Sequence, residues 1–269
     1  MENEIIIRDM SFSYGKDIIF ENLDLDIKKS SFVSIIGKNG SGKSTLAKIL
    51  GGLLKHKGYI NINKTVLDKT NLRNLRKKIG FVLDGNKFCF IGETVLDDVI
   101  YTMENMGYSK KRIKKRLNYI NELFDLEKLL ELSPLNLTKS KQALVSLAAS
   151  IAHHPVILIL DEAFISMDET DKKKAYKALK KINKEESLTI INITSSMNET
   201  LYGDDIIVLD SGKLIMNDIK EKVYQEEKQL IKIGFELPFM VDLSKKLSYY
   251  DLTKETIYDM KEMVNHLWK

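Results

Sequence analysis

The 269 residues are 43% hydrophobic and 30% charged, an ordinary globular balance that excludes a fibrous or low-complexity chain and leaves room for one α/β core with additions. Forty-two basic against 38 acidic side chains give a net charge of +4, too small to demand nucleic acid as a partner. The single cysteine, Cys89, excludes an internal disulfide and is expected to be packed, and no apolar run approaches the roughly 18 residues of a membrane span, so membrane contact is expected through partner chains only.

In chain order, Ile5 and Ile7, then Leu23, Leu25 and Ile27, alternate with polar neighbours, the period-2 pattern of half-buried antiparallel strands. Phe32-Val33-Ser34-Ile35-Ile36 is a compact apolar strand closing on Gly37, and Leu46, Ile49 and Leu50 give the next segment a helical period. Between them, Gly37-Lys38-Asn39-Gly40-Ser41-Gly42-Lys43-Ser44 has the glycine, four residues, Gly-Lys-Ser spacing in the strand-loop-helix setting that phosphate binding needs. Glycines let backbone amides converge on phosphates, the helix start offers free N–H groups, and Lys43 adds a positive charge. The predicted nucleotide set is Gly37, Asn39, Gly40, Ser41, Gly42, Lys43, Ser44 and Thr45, with Ser44 also placed to ligate magnesium. The alternative is a glycine-rich turn with no ligand.

Helical periodicity runs from about Thr94 to Ile151, interrupted by Pro134, and predicts an inserted helical subdomain over 94–151. Within it, Ser109 to Leu117 reads SKKRIKKRL; the spacing of Ile113, Leu117 and Ile120 predicts an amphipathic helix with a solvated basic face, against the alternative of a phosphate contact. His153 and His154 precede Pro155 and are expected to be solvated loop residues.

Val156 to Leu160 is a continuous apolar run, as for a strand covered on both faces, and it ends on Asp161-Glu162. Two acids at such a strand end are costly unless a cation or water chemistry uses them. Asp161 is placed to hold Mg²⁺ and Glu162 to deprotonate the water attacking a γ-phosphate; the alternative is that both cap the next helix. Leu188 to Ile193 and Ile206 to Leu209 read as further strands, and past Gly212 the chain is expected to turn mostly helical. The division is then 1–217 as the nucleotide-binding domain and 218–269 as an appended extension, a candidate dimerisation element.

In this order the motifs resemble the ABC transporter ATPases from about Ile5 to Met216: Tyr14, where that family places an adenine-stacking aromatic, the phosphate loop, the helical block, Leu158-Ile159-Leu160-Asp161-Glu162-Ala163, and Asp168. Without the resemblance Tyr14 reads as a partly buried strand tyrosine. Gly92 to Val99 and Gly234-Phe235-Glu236-Leu237-Pro238-Phe239 are similar to segments of the ATPases of energy-coupling factor transporters. The resemblance implies a P-loop NTPase (RecA-like) α/β core with an N-terminal antiparallel β layer, an inserted helical subdomain and a mainly helical C-terminal extension. It also implies ATP and Mg²⁺ as cofactors, and ATP hydrolysis driving import of a vitamin or metal ion at the cytoplasmic face of the cell membrane. The partners it implies are a second ABC ATPase chain, a transmembrane coupling protein and a substrate-binding membrane protein.

Three departures from that pattern stand out. The Leu-Ser-Gly-Gly-Gln signature falls on Leu137-Thr138-Lys139-Ser140-Lys141, where side chains at both glycine positions restrict backbone approach. The glutamine that senses the γ-phosphate aligns with Asp84, which can ligate magnesium but cannot donate to phosphate. The switch histidine aligns with Ser195, which donates but carries no charge. A lost positioned donor costs about 2.7 to 4 kcal/mol in the barrier if nothing replaces it, so hydrolysis in this chain's own site is expected to be weakened. One rival reading is an ATP-holding subunit that stabilises an ATPase heterodimer; another is a soluble ABC protein acting on ribosomes or DNA, against which stands the lack of paired cassettes.

Overall fold

The computed structural model of the protein describes residues 2–82 and 89–268. Alternation sets its first layer: β1 (Asn3–Tyr14) and β2 (Asp17–Lys28) pair antiparallel with Ile5 opposite Ile27 and Ile7 opposite Leu25, so one face buries all four. After them come β3 (Phe32–Ile36), buried at every residue, and α1 (Lys43–Leu50). The next elements are β4 (Lys57–Ile62), β5 (Thr65–Val66), α2 (Leu72–Arg76) and β6 (Ile79–Val82). β4 and β5 complete the first sheet in the order β2-β1-β4-β5.

Helical periodicity resolves into α3 (Val95–Asn105), α4 (Lys110–Phe124) and α5 (Lys139–Ala152), with a 3-10 turn at Pro134–Asn136 where the proline interrupts. Thr94 and Asp97 bond reciprocally in a capping box that starts α3. Then β7 (Ile157–Asp161), α6 (Glu169–Glu186), β8 (Thr189–Thr194), β9 (Asp205–Asp210) and β10 (Lys213–Ile219) follow. Four short helices close the chain: α7 (Lys220–Gln225), α8 (Glu227–Lys232), α9 (Phe239–Ser248) and α10 (Met260–Leu267). The second sheet runs β10-β9-β3-β8-β7-β6, parallel throughout except at β9/β10. Strands β3, β7 and β8 are buried on both faces, as helices on either side require, and all end on the same edge.

Several expectations need correcting. The mainly helical C-terminal end is as expected, but past Gly212 the chain first makes β10, whose residues are half-buried on one face only, so its alternation is weak in sequence. The closing helices share a buried cluster with the sheet, in which Val223, Tyr224, Leu230, Phe235 and Val241 meet Ile36, Met197, Ile206 and Val208. Cys89 is exposed, not packed. On α4 the lysines and Arg112 are exposed as expected, but Arg116 turns inward to pair with Glu186 and to donate to the carbonyls of Ile151 and Ala152, closing the C-terminal end of α5.

His153 is the clearest reversal. It ends α5 and is buried, while His154 stays exposed. Burial, aided by the charges of Arg116 and His154 and opposed by the Ile79 backbone, pushes its imidazole down to about 4 from 6.5. The unfolded chain therefore takes up a proton between these values that the folded chain refuses, so this contribution to stability is complete above the unfolded value and is lost as pH falls toward the folded one. Between about pH 7.5 and about pH 5 the wild type is expected to lose about 2 kcal/mol more than a His153→Gln variant, read from urea midpoints. Equal pH slopes in the two proteins would show that His153 is not buried neutral.

Candidate nucleotide site

The buried strand β3 fixes where the phosphate loop leaves the sheet, and two glycines let it turn there. Gly42 has φ 100, and a Cβ on it falls 2.6 Å from the Phe20 ring. A Cβ on Gly37 falls 2.3 Å from both the Leu209 carbonyl and Ser41 Oγ. Gly42 is also the N-cap of α1 and offers no side-chain acceptor, so the amides of the first turn, including those of Ser44 and Thr45, keep no helical partner. Ser41 Oγ is buried without a hydrogen-bond partner among the described residues. An anion with several oxygens fits such a cradle of unspent donors.

Lys43 is buried and folds across the loop, its Nζ donating to the carbonyls of Gly37 at 2.6 Å and Lys38 at 3.1 Å. Burial pushes its pKa down, while the charges of Glu162 and Asp161 pull it up. Ser44 Oγ donates to Asp161 Oδ1 at 2.9 Å, joining the start of α1 to the end of β7. A hydroxyl and a carboxylate together suit Mg²⁺, which keeps most of its water and takes its other ligands from phosphates.

Glu162 sits just beyond β7 in the left-handed region, φ 51, with its N–H donating to the Ile193 carbonyl at 2.9 Å. Burial pushes its carboxyl up; a hydrogen bond from Ser195 and the charge of Lys43 oppose this, and Glu199 and Asp161 add to it. Ser195 is exposed just past β8. Lys43, Ser44, Asp161, Glu162 and Ser195 are thus brought together. The helix-capping alternative for the two acids is excluded, because Asp168 caps α6 by accepting from the Asp171 N–H at 2.8 Å.

Tyr14 ends β1, 44% exposed, with its ring edge-on to Phe12 at 4.8 Å. Phe12 pairs with Phe20, whose ring abuts Gly42, so the hairpin whose first strand ends in Tyr14 meets the phosphate loop through Phe20. Asn39 and Gly40 lie at the exposed tip of the loop. Asp84 falls outside the described residues. One group absent from the sequence reading is Glu199, buried in the 3-10 turn after β8, where its Oε2 accepts from Tyr176 Oη at 3.0 Å and Asn192 Nδ2 donates to that same hydroxyl at 3.1 Å. It stands in no motif, and only the fold brings β8 and α6 to it.

A glycine cradle at a helix start, a lysine folded into it and a Ser-Asp-Glu set on the adjacent strand ends define the site of a P-loop nucleoside triphosphatase. The ABC transporter family profile matches residues 20–165. Among curated relatives, the energy-coupling factor transporter ATP-binding protein EcfA1 of Bacillus subtilis (strain 168) is 33% identical over 273 residues, covering 99% of this chain and 97% of that protein. EcfA of Pediococcus pentosaceus is 33% identical over 247 residues, covering 90% and 88%. Among solved structures, cbiO1 of Clostridium perfringens, described as part of the ABC transporter complex cbiONQ, superposes with a TM-score of 0.77 at 25% identity, over 91% of this chain and all of that one. A dimeric bacterial ABC transporter cassette superposes with a TM-score of 0.71 at 29% identity, over 80% and 98%. The chain belongs to the ABC transporter family, as one of its ATP-binding, transport-coupled ATPase subunits.

Replacing Lys43 by alanine removes a buried side-chain charge from the cradle. Charge-assisted hydrogen bonds of this kind are worth about 1.5 to 3 kcal/mol, so Lys43→Ala is expected to weaken ATP binding at least about tenfold in calorimetric titration. Unchanged affinity would remove this loop from the nucleotide site.

Proposed function

We propose that this chain is one of two different ATPases in an energy-coupling factor importer, lying at the cytoplasmic face of the membrane and energising uptake of a vitamin or metal ion chosen by a separate membrane subunit. The observation that carries its chemistry is Glu162, held between Ser195 and the charge of Lys43 at the end of a buried strand. In this reading residues 1–217 bind ATP and Mg²⁺. Ser44 and Asp161 hold the metal, Tyr14 stacks on adenine, and Glu162 orients and deprotonates the attacking water. Residues 218–269 serve dimerisation. No helix among the described residues is long and apolar enough to cross a membrane, which fits attachment through a transmembrane coupling protein and a substrate-binding membrane protein. No nucleic acid enters this reading.

Side chains at both glycine positions of the signature segment favour a different ATPase as partner over a second copy, because a homodimer would meet this altered segment at both sites. A tagged chain purified from detergent-solubilised membranes is expected to bring down a second ABC ATPase and a transmembrane protein. Recovery only as a soluble monomer or homodimer would point instead to a soluble ABC protein.

A second reading, ATP held here without turnover, is favoured by Ser195 standing where the family has histidine. The two separate in the assembled complex once the partner's catalytic glutamate has been replaced. Glu162→Gln is then expected to lower turnover at least about tenfold with binding intact or tighter, and Ser195→His to raise it. No change from either substitution would mark this site as a holder of ATP.

A further inference from the structure

The altered signature segment is tied down by a residue outside it. Asp171, in the first turn of α6, is 2% exposed, and both its oxygens are taken: Oδ2 by Ser140 Oγ at 2.7 Å and Oδ1 by Lys141 Nζ at 2.7 Å. Ser140 Oγ also accepts from the Asp168 N–H at 3.2 Å. Asp168 caps α6 through the Asp171 N–H, and Thr138 caps α5 by accepting from the Lys141 N–H at 3.3 Å. One buried carboxylate thus fastens together two helix starts, the segment 137–141 and the turn ending at Asp168.

The chemistry of the two departures is complementary to that acid. Ser140 and Lys141 stand where the family pattern has glycine and glutamine; glycine would leave Oδ2 bare, and glutamine would leave the buried charge unneutralised. Asp171, Ser140 and Lys141 therefore form a set.

We propose that Asp171 is a positioning residue which, through Ser140 and Lys141, locks segment 137–141 and the Asp168 turn into one rigid edge facing the nucleotide held by the partner ATPase. The lock replaces the close backbone approach that two glycines provide with a fixed placement of the Thr138 hydroxyl and the first amides of α5. This rests on the heterodimer reading above.

The test uses the purified complex with Glu162→Gln in this chain, so that MgATP turnover reports the site that segment 137–141 completes. Lys141→Met, and separately Asp171→Asn, are expected to lower kcat about tenfold while KM moves less than about twofold, and Lys141→Arg to keep kcat within about twofold. The Lys141 side chain is 35% exposed, so its variants are the ones that fold if Asp171→Asn does not, and they decide alone in that case. A lowered Tm with kcat unchanged would reduce the cluster to a structural ion pair and overturn the proposal. Failure of the tagged chain to recover any second ATPase would instead overturn the heterodimer reading and this proposal with it.

Discussion

The hydrogen bond from Ser44 to Asp161 joins the two halves of the site, and the surrounding structure is arranged so that charged groups can lie buried around it. Burial drives the Lys43 and Glu162 pKa values in opposite directions, toward the neutral form of each, and the charge of each restrains the other. Such a cluster is tolerable only at the carboxyl edge of the parallel strands, where β3 ends in the phosphate loop and β7 in the acids, and where α1 directs its unpaired amides. Within the loop the Gly37 and Lys38 carbonyls partner the Lys43 ammonium, which holds its charge at the centre of the cradle.

The C-terminal segment belongs to this arrangement. Phe235 is buried in the cluster that holds Ile36, the residue before the phosphate loop, and Met197, two residues past Ser195. Next to it, Gly234 has φ 80, and a Cβ there falls 2.5 Å from Lys38 Cε, so the chain passes directly under a phosphate-loop side chain. Thr200 and the Tyr224 hydroxyl, 2.7 Å apart in the interior, pin α7 to the turn after β8. Residues 218–269 thus pack against both the phosphate loop and the turn after β8.

What could be read from the sequence was what local chemistry dictates. The five-residue apolar run of β3 and the glycines after it are legible because burial on both faces and phosphate contact each impose an unbroken pattern. β4, β5 and β10 were not, since each is short or half-exposed and draws its stability from a partner strand. His153 looked like loop because nothing local shows that α5 ends inside the protein. Asp171 and Glu199 look like ordinary surface acids in sequence; the first is 31 residues from Ser140 and the second 23 from Tyr176, and only the packing of α6 makes them buried hubs.

The backbone at Glu162 bears on whether this site still performs chemistry. A residue with a Cβ in the left-handed region costs about 1 kcal/mol, and such strain persists where the surroundings over-determine it. Here the determinant is the N–H bond to Ile193, which turns the chain sharply off β7 so that the carboxyl meets Ser195 beside Lys43. The Ser44 to Asp161 bond already joins the strand end to the phosphate loop, so the turn at Glu162 serves the placing of its own carboxyl. A strained Glu162 held against the Ser195 hydroxyl and the charge of Lys43 supports the proposed hydrolase over a silent holder of ATP.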